Sequence, residues 1–213
     1  MNKAPIAAIL ATVGLVAFGV YRALAPPPPP EPTTRIDVGG VALQFLTPYL
    51  RPDSLGAPTQ ERVTLAAFYP DFAPAGSGVD VTGKSDLAAR FAKLVTIVIM
   101  RAGPDLGPEE RVEKIYLRFL ADGDGAQTGG LASRAFKPDS PFAGDLLFYA
   151  PPDGREFAAR CPRDDSARAT PTTCAYSYRL DGLEIEARFP AALMPQWRAI
   201  KAGVSGLVAS ARR

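Results

Sequence analysis

The sequence predicts an α+β protein: an N-terminal transmembrane helix and a proline-rich stalk, then a mainly antiparallel β-sheet domain packed by about two helices. Three observations support this prediction. An uncharged apolar run opens the chain, and a block of prolines follows it. Beyond the prolines, short alternating or β-branched runs recur between glycine and proline turns, and two stretches have amphipathic helical periodicity, residues 108–121 and 191–211. We therefore expect an anchor at residues 1–25, a stalk at residues 26–33 and an exported soluble α+β domain at residues 34–213.

The anchor prediction depends on residues 4–21, which include no charged residue. At about 1.5 Å per residue, this run approaches the ~30 Å hydrocarbon layer that a spanning helix crosses. We expect residues 4–25 to be a single-pass signal anchor in the inner (plasma) membrane, with the C-terminal domain exported. The alternative is a cleaved secretory signal, because residues 23–25 have the small side chains of a processing site, although the apolar run is longer than the roughly 7 to 15 residues of a signal core.

The stalk consists of five consecutive prolines followed by Glu31 and Pro32. Each proline fixes its own φ angle and lacks an N–H donor, so the block forms neither a helix nor a sheet ladder. An extended left-handed run of this kind rises about 3.1 Å per residue and would hold the domain roughly 20 Å from the bilayer. The alternative is a ligand for a proline-recognition domain, but a spacer is the commoner use of such a run beside an anchor.

The composition argues against several function classes. The formal net charge is only +2, so we expect no nucleic-acid partner. The chain has no histidine, which excludes Ser-His-Asp and Cys-His catalytic arrangements and histidine-ligated metals and haem. No Ser-x-x-Lys nucleophile, phosphate-binding loop or dinucleotide-binding glycine motif occurs. We therefore expect a protein that is not an enzyme, with no catalytic residue, no cofactor and no metal site.

The first strands of the domain are predicted from short apolar runs. Two alternating runs surround Gly39 and Gly40, a pattern that predicts a tight hairpin. A continuous β-branched run at residues 94–100 predicts a strand near the centre of the sheet, covered on both faces. Residues 70–83 are rich in proline, glycine, aspartate and serine and predict a loop. The strands predicted in this half are residues 35–38, 41–45, 62–69 and 94–100.

The first amphipathic helix is predicted at residues 108–121. Pro108 suits the first turn of a helix, and the acidic residues that follow it suit the positive end of the helix dipole. Glu110 and Lys114 are four residues apart, as in a surface ion pair. The apolar residues recur on one helical face at Val112, Ile115, Tyr116, Phe119 and Leu120.

The second half of the domain reads as a meander of strands at residues 131–136, 145–150, 156–161, 174–180 and 183–189. A two-residue turn at Asp181 and Gly182 places Leu180 opposite Leu183 and so determines the register of the last pair. The apolar side then pairs Tyr178 with Ile185, Tyr176 with Ala187, and Cys174 with Phe189. The other side pairs Arg179 with Glu184 and leaves Ser177, Glu186 and Arg188 toward water.

The two cysteines of the chain are predicted to form a disulfide. Register places Cys174 against the core, and Cys161 shares the side of its strand with Phe157 and Ala159, so both sulfurs point to the same interior. In an exported domain, a bridge that closes the loop at residues 162–172 contributes on the order of 3 kcal/mol by the chain-entropy estimate. The alternative is two inert buried thiols in a domain that faces the cytoplasm.

The C-terminal stretch, residues 191–211, is predicted to be a helix that packs on the sheet, because an open antiparallel sheet needs one face covered. The alternative is a basic amphipathic helix that lies on the membrane surface. The apolar stripe of this helix consists of Leu193, Trp197, Ile200, Val204, Leu207, Val208 and Ala211.

Function is predicted from the layout of the chain. We expect the exported domain to bind another envelope protein, as an accessory or scaffold subunit of a membrane complex or as a membrane-tethered inhibitor. The alternative is a small-ligand or lipid carrier, in which Tyr149, Tyr176, Tyr178 and Trp197 line a cavity between sheet and helix, although such aromatics are more often core. A large cavity would favour the carrier, and a solid core with an exposed apolar patch would favour protein binding.

Overall fold

The computed structural model describes residues 31–76, 84–123, 125–163 and 173–212. The predicted anchor at residues 4–25 and most of the stalk lie outside these ranges. Of the helices in the described ranges, none has the length and apolar character that a membrane crossing requires.

The described residues form two sheets and three α-helices. The strands are β1 Thr33–Val38, β2 Val41–Leu46, β3 Thr59–Gln60, β4 Arg62–Phe68, β5 Ala73–Pro74, β6 Leu94–Arg101, β7 Ala126–Thr128, β8 Leu131–Ala135, β9 Asp145–Tyr149, β10 Ala158–Pro162, β11 Thr173–Leu180 and β12 Leu183–Pro190. The helices are α1 Lys84–Phe91, α2 Pro108–Lys114 and α3 Trp197–Ser210, and short 3-10 helices occur at Thr47–Tyr49, Pro52–Ser54, Tyr116–Phe119 and Ala191–Gln196.

Nine strands form one antiparallel sheet in the order β5-β4-β6-β12-β11-β10-β9-β8-β7. The other three form a small sheet in the order β2-β1-β3, with β1 and β3 parallel. The prediction of a mainly antiparallel β-sheet domain with few helices is confirmed. Short turns join β4 to β5, β7 to β8 and β11 to β12, a kind of connection that only antiparallel neighbours allow.

The register predicted for the last two strands is confirmed along their whole length. Leu180 faces Leu183 and Cys174 faces Phe189. Asp181 and Gly182 take φ values of 48° and 83°, as the two-residue turn requires. The first hairpin is also confirmed, since β1 pairs with β2 across Gly39 and Gly40, both with positive φ.

The main core lies between the inner face of the large sheet, helix α3 and the β1-β2 hairpin. Strand β6 is central, between β4 and β12, and its inner residues Val95, Ile97 and Ile99 have no exposed surface. Helix α3 packs on this face through Trp197, Ile200, Val204 and Val208, which confirms that the C-terminal helix covers the sheet. On the outer face of β6, Leu94, Thr96 and Met100 are only half-buried, so this strand is fully covered on one face rather than two.

Both predicted helices are shorter than expected. Helix α2 ends at Lys114, because Ile115 leaves helical geometry at φ −120° and a 3-10 turn follows. After this break, Leu120 forms an isolated antiparallel bridge with Phe136, the residue that follows β8. Helix α3 begins only at Trp197, since Pro195 lacks the N–H that an α-helix would use and disfavours helical geometry in the residue before it.

Helix α1 is an element that the sequence analysis does not predict. Leu87 and Phe91 have helical spacing but remain exposed, so the helix shows no buried apolar stripe. The side predicted to face water on β11 and β12 is also more covered than expected. Glu184 retains 14% side-chain exposure because Arg111 of α2 packs over it, whereas Arg188 is exposed.

Candidate functional site

The outer face of the large sheet, opposite α3, has two differently built ends. At the first, which we call the α2 end, α2 and its following 3-10 turn pack on β9 and β10. A second core forms there from Val112, Leu120, Phe136 and Leu147, which are almost completely buried. Phe142 contacts the rings of Tyr116 and Phe136, with ring centroids 5.1 Å and 5.0 Å apart. This end of the face is closed by aromatic side chains.

Three arginines of the α2 end, Arg111, Arg179 and Arg160, are engaged by the protein itself, whereas Arg118 on the 3-10 turn is exposed. Arg111 donates to Glu184 over 2.9 Å. The guanidinium of Arg179 donates to the carbonyl oxygens of Gly103 and Asp105, and Glu109 accepts from the Arg179 backbone N–H. Charges that are paired in this way hold α2 against the strands.

A further arginine at this end stacks on the aromatic cluster. The Arg160 guanidinium lies 5.1 Å from the centroid of Phe142 and 5.7 Å from that of Tyr116. It also pairs with Asp145 over 3.4 Å. On the solvent side of α2, Lys114 donates to Glu110 over 2.7 Å, as the four-residue spacing predicted. This bond, with a weaker contribution from the Gly107 backbone N–H, lowers the pKa of Glu110.

The other end of the outer face is an open groove, which we call the α1 groove. Its floor includes Phe68 and Leu94, which are cross-strand partners on β4 and β6. Leu87 and Phe91 of α1 form its wall and are 36% and 46% exposed. The groove has a volume of about 300 Å³ and is mostly apolar. Large apolar side chains that remain in water beside such a groove are typical of an interaction surface.

The charged residues of the α1 groove differ from those of the α2 end. Among its described lining residues, Arg51 and Arg90 are the charged ones, and both are exposed. The Arg90 guanidinium lies 5.0 Å from the centroid of the Phe68 ring. None of the ion pairs among the described residues involves either arginine. Both charged residues in the described lining of the groove are therefore positive, and neither is paired with a carboxylate among the described residues.

The sequence analysis did not identify this groove. Its residues come from β4, β6, α1 and the segment around Arg51, and only the strand order brings them together. The four-residue spacing of Leu87 and Phe91 is the one signal in the sequence that could have indicated an apolar helical surface here.

Three of the four aromatic residues predicted to line a ligand cavity lie in the main core. Tyr176, Tyr178 and Trp197 are 3%, 8% and 0% exposed. Phe157 stacks on Tyr176 with ring centroids 4.4 Å apart and contacts Trp197 at 4.8 Å. These contacts fill the space between the sheet and α3 around the three side chains.

Two of these three buried residues, Trp197 and Tyr178, have hydrogen-bond partners inside the protein. The Trp197 Nε1–H donates to the carbonyl of Gly129 over 3.0 Å, and the Ser205 hydroxyl donates to the Tyr178 oxygen over 3.1 Å. Burial raises the pKa of both Tyr176 and Tyr178. Satisfied polar atoms and raised phenol pKa values are typical of structural core tyrosines.

The fourth residue, Tyr149, lies on the opposite face of the sheet. It pairs with Ala158 in the ladder between β9 and β10, and both pack against the aromatic core of the α2 end. The structure therefore does not bring Tyr149 together with the other three residues.

A smaller groove of about 220 Å³ adjoins Tyr176 where β10 separates from β11, which pair over only two residues. Charges of both signs line it, and Lys201 crosses it to donate to the carbonyl of Glu156 over 2.7 Å. Its volume is below the roughly 300 Å³ at which small-molecule pockets begin.

The predicted disulfide is present. Cys161 and Cys174 are bonded, their Cα atoms are 4.1 Å apart, and both are buried on the inner face of the sheet. Within the described ranges, no group of three or more acidic or cysteine side chains is placed to hold a metal ion.

Comparisons with known proteins show that the fold resembles those of solved structures. No protein-family model matches the chain, and no curated protein matches it. Its fold is similar to that of Smlt3025, an immunity protein of the Stenotrophomonas maltophilia type IV secretion system, with a TM-score of 0.62 and 15% identity over 86% of this chain and 94% of that chain. A second structure, the iron-regulated outer membrane lipoprotein FrpD of Neisseria meningitidis, has a TM-score of 0.49 and 13% identity over 85% and 93% of the two chains. The likeness to Smlt3025 is one of fold.

Proposed function

We propose that the domain binds another protein of the cell envelope through the α1 groove, and that it acts there as a membrane-tethered inhibitor of a protein delivered into the envelope. The observation that carries this proposal is the exposed pair of Leu87 and Phe91 beside an open apolar groove of about 300 Å³. Covering this surface with a partner removes apolar area from water, at about 25 cal/mol per Å².

The residue types in the groove support a protein partner. Aromatic and arginine side chains dominate the binding energy of protein interfaces, and they do so where they surround a pocket that the partner fills. Phe91 and Arg90 are adjacent on α1, and Phe68 lies beneath the arginine. The carrier alternative has less support, because Tyr176, Tyr178 and Trp197 occupy the space that its ligand would need.

The inhibitor role is favoured over the scaffold role by the likeness in fold to an immunity protein of a secretion system. This support is an analogy, since one fold can host several functions. The disulfide between Cys161 and Cys174 supports an exported domain, because such bonds persist in oxidising compartments. An anchor at residues 4–25 would keep the inhibitor at the membrane where a delivered protein arrives.

A contact competition between two strains tests the proposal. Cells that lack the gene are grown in contact with parental cells, which under this proposal deliver the protein that the inhibitor neutralises. We expect the deletion strain to lose viability and wild-type protein to restore it, whereas Phe91→Ser does not. Leu117→Ser is the matched control, because Leu117 is 41% exposed but belongs to the α2 end.

Two outcomes would count against the proposal. If the deletion strain grows as well as the parent under contact, the inhibitor role is wrong. If Phe91→Ser protects as well as wild type, the inhibitor does not use the α1 groove. Co-purification of an endogenous membrane complex in place of any protection would favour the scaffold role.

A further inference from the structure

The arginines of the α1 groove differ from the structural arginines of the α2 end in having no carboxylate beside them. At the α2 end, Arg111 and Arg160 each pair with an acidic residue of the protein. Arg51 and Arg90 have no ion pair among the described residues, and the described lining of the groove includes no carboxylate. The anion that would complement these arginines therefore has to come from outside the described structure.

The position of Arg90 suits a carboxylate in particular. Its guanidinium lies over the ring of Phe68, 5.0 Å from the centroid, and this contact restrains the side chain next to the apolar floor. A guanidinium offers five N–H donors in a planar fork, and a carboxylate accepts two parallel hydrogen bonds from such a fork. Among the described residues, none accepts a hydrogen bond from the side chain of Arg90 or of Arg51.

The size of the groove limits what accompanies the carboxylate. A volume of about 300 Å³ equals that of about ten waters, at roughly 30 Å³ each in the liquid. The apolar lining, which includes Leu94 and Phe91, is of a size to contact one or two apolar side chains of a partner. A short acidic segment of a protein presents an apolar side chain and a carboxylate close to each other.

We propose that the α1 groove recognises a segment of the partner protein in which an apolar anchor residue is flanked by Asp or Glu side chains. The anchor fills the space between Leu94 and Phe91, and the carboxylates pair with Arg51 and Arg90. This inference rests on the proposed function, since it names the chemistry of the partner at that same groove.

A selection from a displayed library of random peptides on the detergent-purified full chain tests this inference. We expect the enriched peptides to combine one aromatic or aliphatic residue with Asp or Glu a few positions away. Affinity for these peptides falls by about tenfold or more in Arg51→Gln/Arg90→Gln, because charged hydrogen bonds are lost. The matched control is Lys93→Gln, which removes an exposed charge next to α1 that does not line the groove.

The outcomes separate this inference from the proposed function. The inference is overturned if the selected peptides require Phe91 but show no preference for acidic residues. It is also overturned if they bind Arg51→Gln/Arg90→Gln as tightly as wild type. Either result leaves the groove as a protein-binding site. A selection that yields no Phe91-dependent peptide counts against the groove itself. Arginine-dependent retention of anionic lipid in native mass spectrometry, or arginine-dependent self-association in sedimentation, assigns the arginines to another occupant and overturns the inference.

Discussion

The two ends of the outer sheet face use the same kinds of side chain for different purposes. At the α2 end, aromatic rings are buried and arginines are paired, as in the contact of Arg111 with Glu184. In the α1 groove, Phe91 is 46% exposed and Arg90 has no acidic partner among the described residues. The first arrangement stabilises the fold, whereas the second leaves apolar surface in water. This contrast indicates that the composition of a surface says little about function until pairing and burial are known.

The largest expected effect on stability comes from a substitution in the aromatic core of the α2 end. Phe136 is fully buried in the aromatic core, so Phe136→Ala removes a ring that the surrounding side chains cannot replace. We expect the free energy of unfolding to fall by about 3–5 kcal/mol, measured by urea denaturation. A loss below about 1 kcal/mol would show that this end is not closely packed.

The disulfide joins β10 and β11 on the inner face of the sheet. Cys161 and Cys174 are 13 residues apart, and a closed loop of this size stabilises the folded state by about 3 kcal/mol in the chain-entropy model. We expect the Cys161→Ala/Cys174→Ala variant to lose about this amount, measured as a lower midpoint of thermal unfolding. The midpoint of the wild type should fall similarly with reductant, and the midpoint of the variant should not respond to reductant.

The same substitution made at each end tests the comparison directly. Arg111→Met leaves the half-buried carboxylate of Glu184 without its closest partner, and we expect a loss of about 1–3 kcal/mol in the free energy of unfolding. Arg90→Met removes an exposed charge with no ion pair among the described residues, so a change within about 0.5 kcal/mol is expected. Equal losses from the two variants would contradict the distinction between the ends.

The dependence of stability on alkaline pH tests the burial of Tyr176 and Tyr178 in the main core. Burial holds the pKa of Tyr176 and Tyr178 above the ordinary value of 10.0. Above pH ~10 the unfolded chain therefore binds fewer protons than the folded one, so the free energy of unfolding declines as pH rises. Below that pH the two tyrosines have no such effect. Urea midpoints measured across this range should decline less steeply in Tyr176→Phe and Tyr178→Phe, and equal slopes would show that these phenols are not buried.

The smallest effect on stability is expected in the α1 groove. Phe91→Ser should change the free energy of unfolding by no more than about 0.5 kcal/mol, because the ring is already largely in water. Urea denaturation measures this change, and the competition assay measures the loss of protection in the same variant. If Phe91→Ser unfolds the domain, the exposed ring is structural and the contrast between the two ends fails.

Much of the sheet could be predicted because its signals are local. The turn at Asp181 and Gly182 determines the register of β11 and β12 by counting, and the disulfide of Cys174 follows from that register. The apolar stripe of α3 is likewise a periodic pattern within one segment.

The rest depends on contacts between distant segments. Tyr149 was assigned to the wrong side because its face is decided by pairing with Ala158, which no local pattern specifies. Helix α2 ends before the chain reaches Leu120, which pairs with Phe136 of another segment. The α1 groove exists because β4 lies beside β6, so Phe68 and Leu94 meet across two strands that are separated in sequence.

The exposed residues of α1 also bear on how this protein can evolve. Leu87, Arg90 and Phe91 lie on a single helix of eight residues, and none of them belongs to either hydrophobic core. Mutations in this helix can therefore accumulate without unfolding the sheet behind it. Under the proposed function, a change in the partner could be matched by a few codons in one short segment, and gene duplicates could acquire different partners while they keep the same framework.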